Sequence, residues 1–433
     1  MNFARKWPAI GSVLATLVAA VTLAGCGSGS GDSSDSSVRV INATLTHSSI
    51  DLLVNSSVAA SATATDNISG YVTTGSGSNT LQLADNGSST ALVSLVPTLS
   101  GDSHYTLLAY ESGTTVKALV VDENASAPTT SGIATVRIYD VAIEAGKLDV
   151  YITTNACTNL TSLSATTSFG TLTAPTYTAV SQGAGTYNVC VTAAGSKTDL
   201  RSSMSVTLSS QEVVDVLLTP TSGGQLINAG LLSQQSTYTA ARNTNTRVRL
   251  ASAVSGSATV AASASNGTTS VVIDSGSVAP AFGYYTLVPS GSSLNISVNG
   301  SSVSAPSTTL TAGTDMTLLV YGDASSATAS LIADDNRLPT DSTTVKLRLI
   351  NGITGSTGTL TFTANSAAVA TGIAAGAASG YVSVTGSSDA MTLSLFSSAS
   401  SGVYYTTSTT LNANTVYTVL AGGAFSSPQL LIR

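Results

Sequence analysis

Four short segments of this chain open in the same way: Val38-Arg39-Val40-Ile41-Asn42, Val136-Arg137-Ile138-Tyr139-Asp140, Val248-Arg249-Leu250-Ala251-Ser252 and Leu347-Arg348-Leu349-Ile350-Asn351. An arginine between two aliphatics reads as a period-2 strand with its apolar side turned inward. The arginines lie 98, 112 and 99 residues apart. That is too far for a solenoid repeat of about 20–45 residues and suits one β-sandwich of about 100 residues. The spacing predicts four tandem domains, at 38–127, 134–235, 246–337 and 344–433. Later landmarks keep the register: the Tyr of Ser69-Gly70-Tyr71 and of Ser379-Gly380-Tyr381 follows its Arg by 32 and 33 residues, with Phe282-Gly283-Tyr284 as a looser counterpart. The first and third arginines are 210 apart and the second and fourth 211, the mark of a duplicated two-domain unit.

Strand patterning supports an all-β chain. Leu294-Asn295-Ile296-Ser297-Val298-Asn299 alternates, as do Met391-Thr392-Leu393-Ser394-Leu395 and Leu148-Asp149-Val150-Tyr151-Ile152, which is the pattern of half-buried antiparallel strands. Turn clusters such as Asp85-Asn86-Gly87 and Ser265-Asn266-Gly267 separate them. Near the end of repeat 4, Leu411 and Tyr417 stand six residues apart, as do Leu99 and Tyr105 in repeat 1. The run resembles the tyrosine corner of immunoglobulin and fibronectin-type sandwiches, in which the Tyr hydroxyl bonds back to the upstream backbone. Val214 after Leu208 and Met316 after Leu310 keep the packing without the hydroxyl. The expected fold is therefore four tandem immunoglobulin-like antiparallel β-sandwiches of about seven strands each.

The N-terminus supplies an address. Arg5 and Lys6 precede an apolar run from Gly11 to Ala20 that leads into Leu23-Ala24-Gly25-Cys26. This resembles a bacterial lipoprotein signal peptide (residues 1–25), too short to read as a membrane-spanning helix of about 20 residues. The resemblance implies that Cys26 becomes the mature N-terminus and carries the lipid, palmitate among its acyl chains, anchoring the protein to a membrane. Gly27 rather than Asp after Cys26 implies the outer membrane or cell surface. Residues 26–37 form a flexible Gly/Ser tether, whose free part spans roughly 15–20 Å. The joins Ala125 to Gly132, Gln234 to Thr246 and Leu338 to Thr343 are long enough for hinge motion, which suggests a rod or beaded chain.

Chemistry is sparse. Without residues 1–25 the chain has 13 basic against 22 acidic residues, a net charge of −9, so nucleic acid is not an expected partner. The two histidines, His47 and His104, sit in no zinc motif or nucleophile elbow, and alternation turns His104 toward solvent. No phosphate-binding glycine loop occurs, and neither enzymatic activity nor a cofactor is expected. Cys157 and Cys190 are the cysteines left once Cys26 is acylated, and an exported chain would join them in a disulfide. No metal site is assigned, although Asp122-Glu123-Asn124 and Asp334-Asp335-Asn336, matched at 212 residues, lie at junctions where their oxygens would suit Ca²⁺. The alternative is a hydrated turn. The pairs Tyr284-Tyr285 and Tyr404-Tyr405 each place one ring in a core, leaving little for a binding platform.

The openings, the strands Asp51-Leu52-Leu53-Val54 and Asp149-Val150-Tyr151-Ile152, the Ser-Gly-Tyr landmark and the closing Gln429-Leu430-Leu431-Ile432 together resemble tandem copies of the bacterial domain of unknown function 4397. Ala261 and Leu360 replace the Asp in repeats 3 and 4, which argues against a catalytic role for Asp51 or Asp149. The resemblance implies an exported or surface protein. The function expected is a lipid-anchored envelope protein with a structural or adhesive role. The alternative is a binding module for a glycan, a peptide or an envelope partner protein.

Overall fold

A computed structural model describes residues 34–353, 355 and 358–433. The expected signal peptide, Cys26 and the tether up to residue 33 lie outside the described residues. The chain is all-β, with a single turn of 3-10 helix at Ile143–Ala145 among the described residues. None of these residues forms a helix long and apolar enough to cross a membrane.

Two facing sheets recur in each repeat. In repeat 1 one sheet runs in the order Thr115–Asp122, His104–Ser112, Ser36–Asn42, Val72–Thr74, and the other in the order Ser57–Ala64, Ser49–Val54, Leu81–Asp85, Ala91–Leu95. The opening strands of the remaining repeats, Ile133–Asp140, Asn245–Val254 and Thr344–Asn351, take the same central place in their sheets. The pattern is not wholly antiparallel. Each opening strand lies parallel to the repeat's penultimate long strand, with Val38 opposite Tyr105, Val136 opposite Val214, Val248 opposite Met316 and Leu347 opposite Tyr417. Parallel neighbours need a long crossover, and the intervening excursion through the second sheet supplies it.

The inward residues behave as the alternation predicts. Val38, Val40, Leu52, Leu83 and Leu107 close one core, and equivalent sets close the other three. The corner is present where the Tyr is. The Tyr105 hydroxyl accepts the Ser100 N–H at 3.0 Å and the Tyr417 hydroxyl accepts the Asn412 N–H at 3.2 Å, while Val214 and Met316 fill the same place as plain buried side chains.

The outer faces of the sheets that carry the opening strands are also buried. Ile41, Leu108, Tyr110, Tyr139, Leu217 and Leu232 form an apolar layer between repeats 1 and 2, and Ala251, Phe282, Leu319, Ile350 and Leu420 form one between repeats 3 and 4. The repeats are thus stacked back to back in pairs instead of strung as beads. The joins are pinned as well. Gln234 donates to the Ala125 carbonyl at 2.8 Å, and Tyr238–Ala241, expected within a linker, is a fifth strand on the sheet of repeat 2. The N–H of Leu338 reaches the Glu144 carbonyl at 2.8 Å, and that of Gly223 reaches the Gly313 carbonyl at 2.9 Å. Hinges at these joins would have to break such bonds along with the apolar layers.

Candidate functional site

The arginine of each opening strand points to the outer face, where alternation sends it, but that face is covered by the neighbouring repeat. Arg39, Arg137, Arg249 and Arg348 are only 4%, 5%, 4% and 2% exposed. A guanidinium so buried needs a counterion and filled hydrogen bonds. The parallel ladder supplies the first partner, because the residue after the corner position sits directly across from each Arg: Thr106, Asp215, Thr317 and Thr418.

Each repeat completes the shell differently. Arg39 donates from Nε to Thr106 Oγ1 at 3.0 Å and to Glu123 Oε1 at 3.1 Å, and from Nη2 to Glu123 Oε2 at 2.6 Å. Repeat 2 closes over this pair, the Ser236 carbonyl accepting Arg39 Nη1 at 2.7 Å and the Gln235 N–H donating to Glu123 Oε2 at 2.6 Å. Burial alone would raise the Glu123 carboxyl, but hydrogen bonds from Arg39, Thr106, Gln235 and Tyr71 hold it below its ordinary value. In repeat 2 the carboxylate is on the ladder itself: Asp215 accepts Arg137 Nε at 2.5 Å and Nη2 at 2.6 Å. Burial still pushes Asp215 up to about 6 against the pull of Arg137, with nearby Glu123 adding to the rise.

In repeats 3 and 4 one carboxylate serves two arginines. Asp334 Oδ2 accepts from Thr317 Oγ1 at 2.6 Å and from the Tyr285 hydroxyl, while Oδ1 accepts from Arg348 Nη2. Arg249 donates from Nε to Thr317 Oγ1 at 2.9 Å, but its Nη2 is 3.7 Å from Asp334 Oδ2 and has no hydrogen-bond partner.

A tyrosine roofs three of the arginines. The guanidinium carbons of Arg39, Arg249 and Arg348 lie 4.3, 4.5 and 4.6 Å from the ring centres of Tyr71, Tyr285 and Tyr381, within cation–π range. Burial, followed by its bond to Glu123, raises the Tyr71 hydroxyl far above its ordinary value, and Tyr381 is pushed up to about 12 by burial. This is the meaning of the Ser-Gly-Tyr landmark: Ser69 and Ser379 hydroxyls accept the Val40 and Leu349 N–H at 3.0 Å, tying the segment to the opening strand and setting the ring over its Arg. In repeat 3 the roof is Tyr285, not the Tyr284 that sequence register suggests, and Tyr284 is left 78% exposed.

These contacts displace the calcium reading of the acidic clusters. Glu123 and Asp334 are committed to arginines, Asp335 pairs with Arg337 at 2.7 Å and Lys346 at 3.0 Å, and Asp122 accepts the Asn124 N–H at 2.8 Å. The clusters correspond with an offset of one residue, Glu123 matching Asp334. Among the described residues no group of three or more His, Cys, Asp or Glu is placed to hold a metal ion.

The remaining candidates have local partners. His47 lies between Asp85 (Nδ1 to Oδ1, 2.6 Å) and Glu111 (3.8 Å). His104 packs edge-on to Tyr71 at 4.9 Å. Asp51 accepts the Ala62 and Gly87 N–H groups at 2.7 and 2.9 Å, and Asp149 accepts from Ser168 and the Gly195 N–H, so both fasten turns. Cys157 and Cys190 are joined, with Cα atoms 5.5 Å apart. Tyr404 stacks on Phe425 and donates to its carbonyl at 2.5 Å.

Two openings flank the junction of repeats 3 and 4. A groove of about 710 Å³ is lined by Val272, Asp274, Phe282, Tyr284, Leu431 and Arg433. A second, of about 330 Å³, is lined by Arg247, Arg249, Tyr284, Tyr285, Asn336 and Arg433. Exposed Tyr284 is common to both, with the Arg433 guanidinium 5.1 Å from its ring centre.

Residues 36–151 match a family model described as Domain of unknown function (DUF4397). The stretch covers repeat 1 and the opening of repeat 2, including Arg39 and Arg137. A solved structure described as "a putative cell adhesion protein from Bacteroides uniformis ATCC 8492" aligns at 11% identity and a TM-score of 0.22, over 48% of this chain and 99% of that one. "The Bacillus anthracis TIE protein" aligns at 10% identity and a TM-score of 0.14, over 87% of this chain and 65% of that one. No curated protein matches the chain.

Proposed function

We propose that this is a lipid-anchored protein of the bacterial envelope, held at the outer membrane or cell surface through Cys26, with four tandem immunoglobulin-like sandwiches serving a structural or adhesive role and no catalysis. The observation that carries the reading is where the chain spends its few charged side chains. Arg39, Glu123, Arg137, Asp215, Arg249, Asp334 and Arg348 lie between sheets and bind repeat to repeat, the work of a scaffold. Cells making the native protein, the Cys26→Ala variant or neither are compared for membrane retention and for attachment to a surface. The native protein should sediment with membranes and support attachment, and Cys26→Ala should appear in the medium with attachment lost. Equal membrane retention of the variant would exclude the anchor; equal attachment without the protein would exclude adhesion.

A binding module is the second reading. It is favoured by Tyr284, the most exposed of the large hydrophobic side chains that stand out from the described surface, at the shared rim of two grooves.

A further inference from the structure

The two back-to-back junctions differ in charge. Between repeats 1 and 2, two buried arginines meet two buried carboxylates, Arg39 with Glu123 and Arg137 with Asp215. Between repeats 3 and 4, Arg249 and Arg348 share Asp334 alone, because Thr418 occupies the ladder position that Asp215 holds in repeat 2. The neighbouring charges do not make up the difference: Asp315 is taken by Arg247 at 2.7 Å, Asp335 is divided between Arg337 and Lys346, and Arg433 has no carboxylate partner among the described residues. The deficit falls on Arg249, which is 4% exposed, has an Nη2 without a hydrogen-bond partner, and lines the smaller groove.

An uncompensated buried guanidinium is costly, and its planar fork matches a carboxylate. We propose that the groove beside Arg249 is a binding site for a ligand carboxylate, which takes the place of the carboxylate missing from this junction. One negative charge is absent, so a monovalent carboxylate balances the site where a phosphate dianion would overfill it. Arg433 at the rim adds a second cation, and the ring of Tyr284 offers a flat surface to the body of the ligand. The proposal rests on the second functional reading only in requiring that this junction bind a ligand. Failure of cell attachment would remove the adhesive role and leave carboxylate binding standing.

The test uses thermal melts and titration calorimetry of the described chain with glucuronate, acetate, inorganic phosphate and, as the neutral analogue, glucose. The melting temperature of the native protein should rise with millimolar glucuronate or acetate, less with phosphate and not with glucose. A response to glucuronate alone identifies a sugar acid as the source, and equal responses to glucuronate and acetate identify the bare carboxylate. Thr418→Asp restores the missing charge in cis: the introduced carboxylate would pair with Arg348 and release Asp334 to Arg249. That variant should melt higher than the native chain without ligand and bind carboxylates about tenfold more weakly or worse, the loss of one charge-assisted hydrogen bond. Arg249→Gln should also lose the response, and Thr418→Asp decides the matter if Arg249→Gln does not fold. Native melting that ignores carboxylates, an equal response to glucose or phosphate, or a Thr418→Asp variant that responds like the native chain would overturn the proposal.

Discussion

Asp215 and Thr418 occupy the same position in two repeats, one residue past the corner and directly across the parallel ladder from an opening-strand arginine. Asp215 gives Arg137 two carboxylate contacts at 2.5 and 2.6 Å, whereas Thr418 gives Arg348 one hydroxyl at 3.2 Å. Arg348 therefore takes its counterion from repeat 3, through Asp334, and gains the Ala333 carbonyl at 2.9 Å as well. A self-sufficient pair in repeat 2 becomes a cross-repeat fastening in repeat 4.

Removing that fastening should be expensive. Asp334→Asn leaves Arg348 and Arg249 buried without a full charge, and breaking a buried pair in this way costs roughly 3–5 kcal/mol. Asp66→Asn removes an ion pair with Arg242 whose side chains are 36% and 29% exposed, where the loss should stay below about 1 kcal/mol. Urea titrations of the two variants against the native chain provide the comparison. Equal losses would show that burial does not set the strength of these pairs.

The two tyrosine corners are worth one hydrogen bond each. Tyr105→Phe and Tyr417→Phe keep the ring and leave the Ser100 and Asn412 N–H groups without the hydroxyl, so each should destabilise by about 0.5–1.5 kcal/mol. The pair lies in separate repeats and the double variant should lose the sum, read by the same titration.

Asp140 should make stability depend on pH in an unusual direction. Its position is held by Asn42 and Asn351 in repeats 1 and 4, where the side-chain amide donates to the Thr63 and Ile373 carbonyls at 3.1 and 2.9 Å. Asp140 accepts the Ala142 N–H at 2.9 Å through Oδ1, while Oδ2 is buried without a partner. Burial pushes the carboxyl from 3.8 up to about 7. The folded state thus holds the proton more tightly than the unfolded chain. The stability this contributes is complete below about 3.8 and is lost as pH rises through about 7. Asp140→Asn should remove the dependence, gaining on the native protein between pH 4 and 8 by an amount on the order of 4 kcal/mol. Parallel stability curves for the two proteins across that range would contradict the assignment.

Cys157 and Cys190 close a loop with a sequence separation of 33. A thiol assay on the unreduced, denatured mature protein should find neither of them free. Reduction should cost roughly 3–4 kcal/mol on chain-entropy grounds, read as a lower denaturation midpoint under reductant. Two titratable thiols would rule the bond out.

The repeat length, the apolar faces and the corners were legible because each leaves a periodic or fixed-spacing mark: Val38 and Val40 alternate into a core, and Leu99 and Tyr105 keep their interval. The junctions were not. Alternation places Arg39 on the outer face correctly, but whether that face meets water depends on a second sheet that contributes Tyr139 and Leu217 from a different repeat. A usable signal was present in the co-occurrence of each Arg with its Ser-Gly-Tyr segment, which alternation alone treats as unrelated. The acidic clusters misled for the same reason. Glu123 and Asp334 look like free oxygen donors until the arginines are known to be buried beside them, and the one-residue offset between the clusters is visible only through the strand pairing of Thr106 and Thr317.

The parallel ladder also fixes an order of events during synthesis. Val38 sits at the centre of its sheet, yet its neighbour Tyr105 is added 67 residues later, so an aliphatic strand must wait, unpaired, while most of the repeat is made. Waiting strands of this kind invite association with other chains, and a charge set among the aliphatics is the standard deterrent. Arg39, Arg137, Arg249 and Arg348 each stand in the middle of such a strand. The residue that later locks one repeat to the next first serves to keep the unfinished chain from locking onto its neighbours.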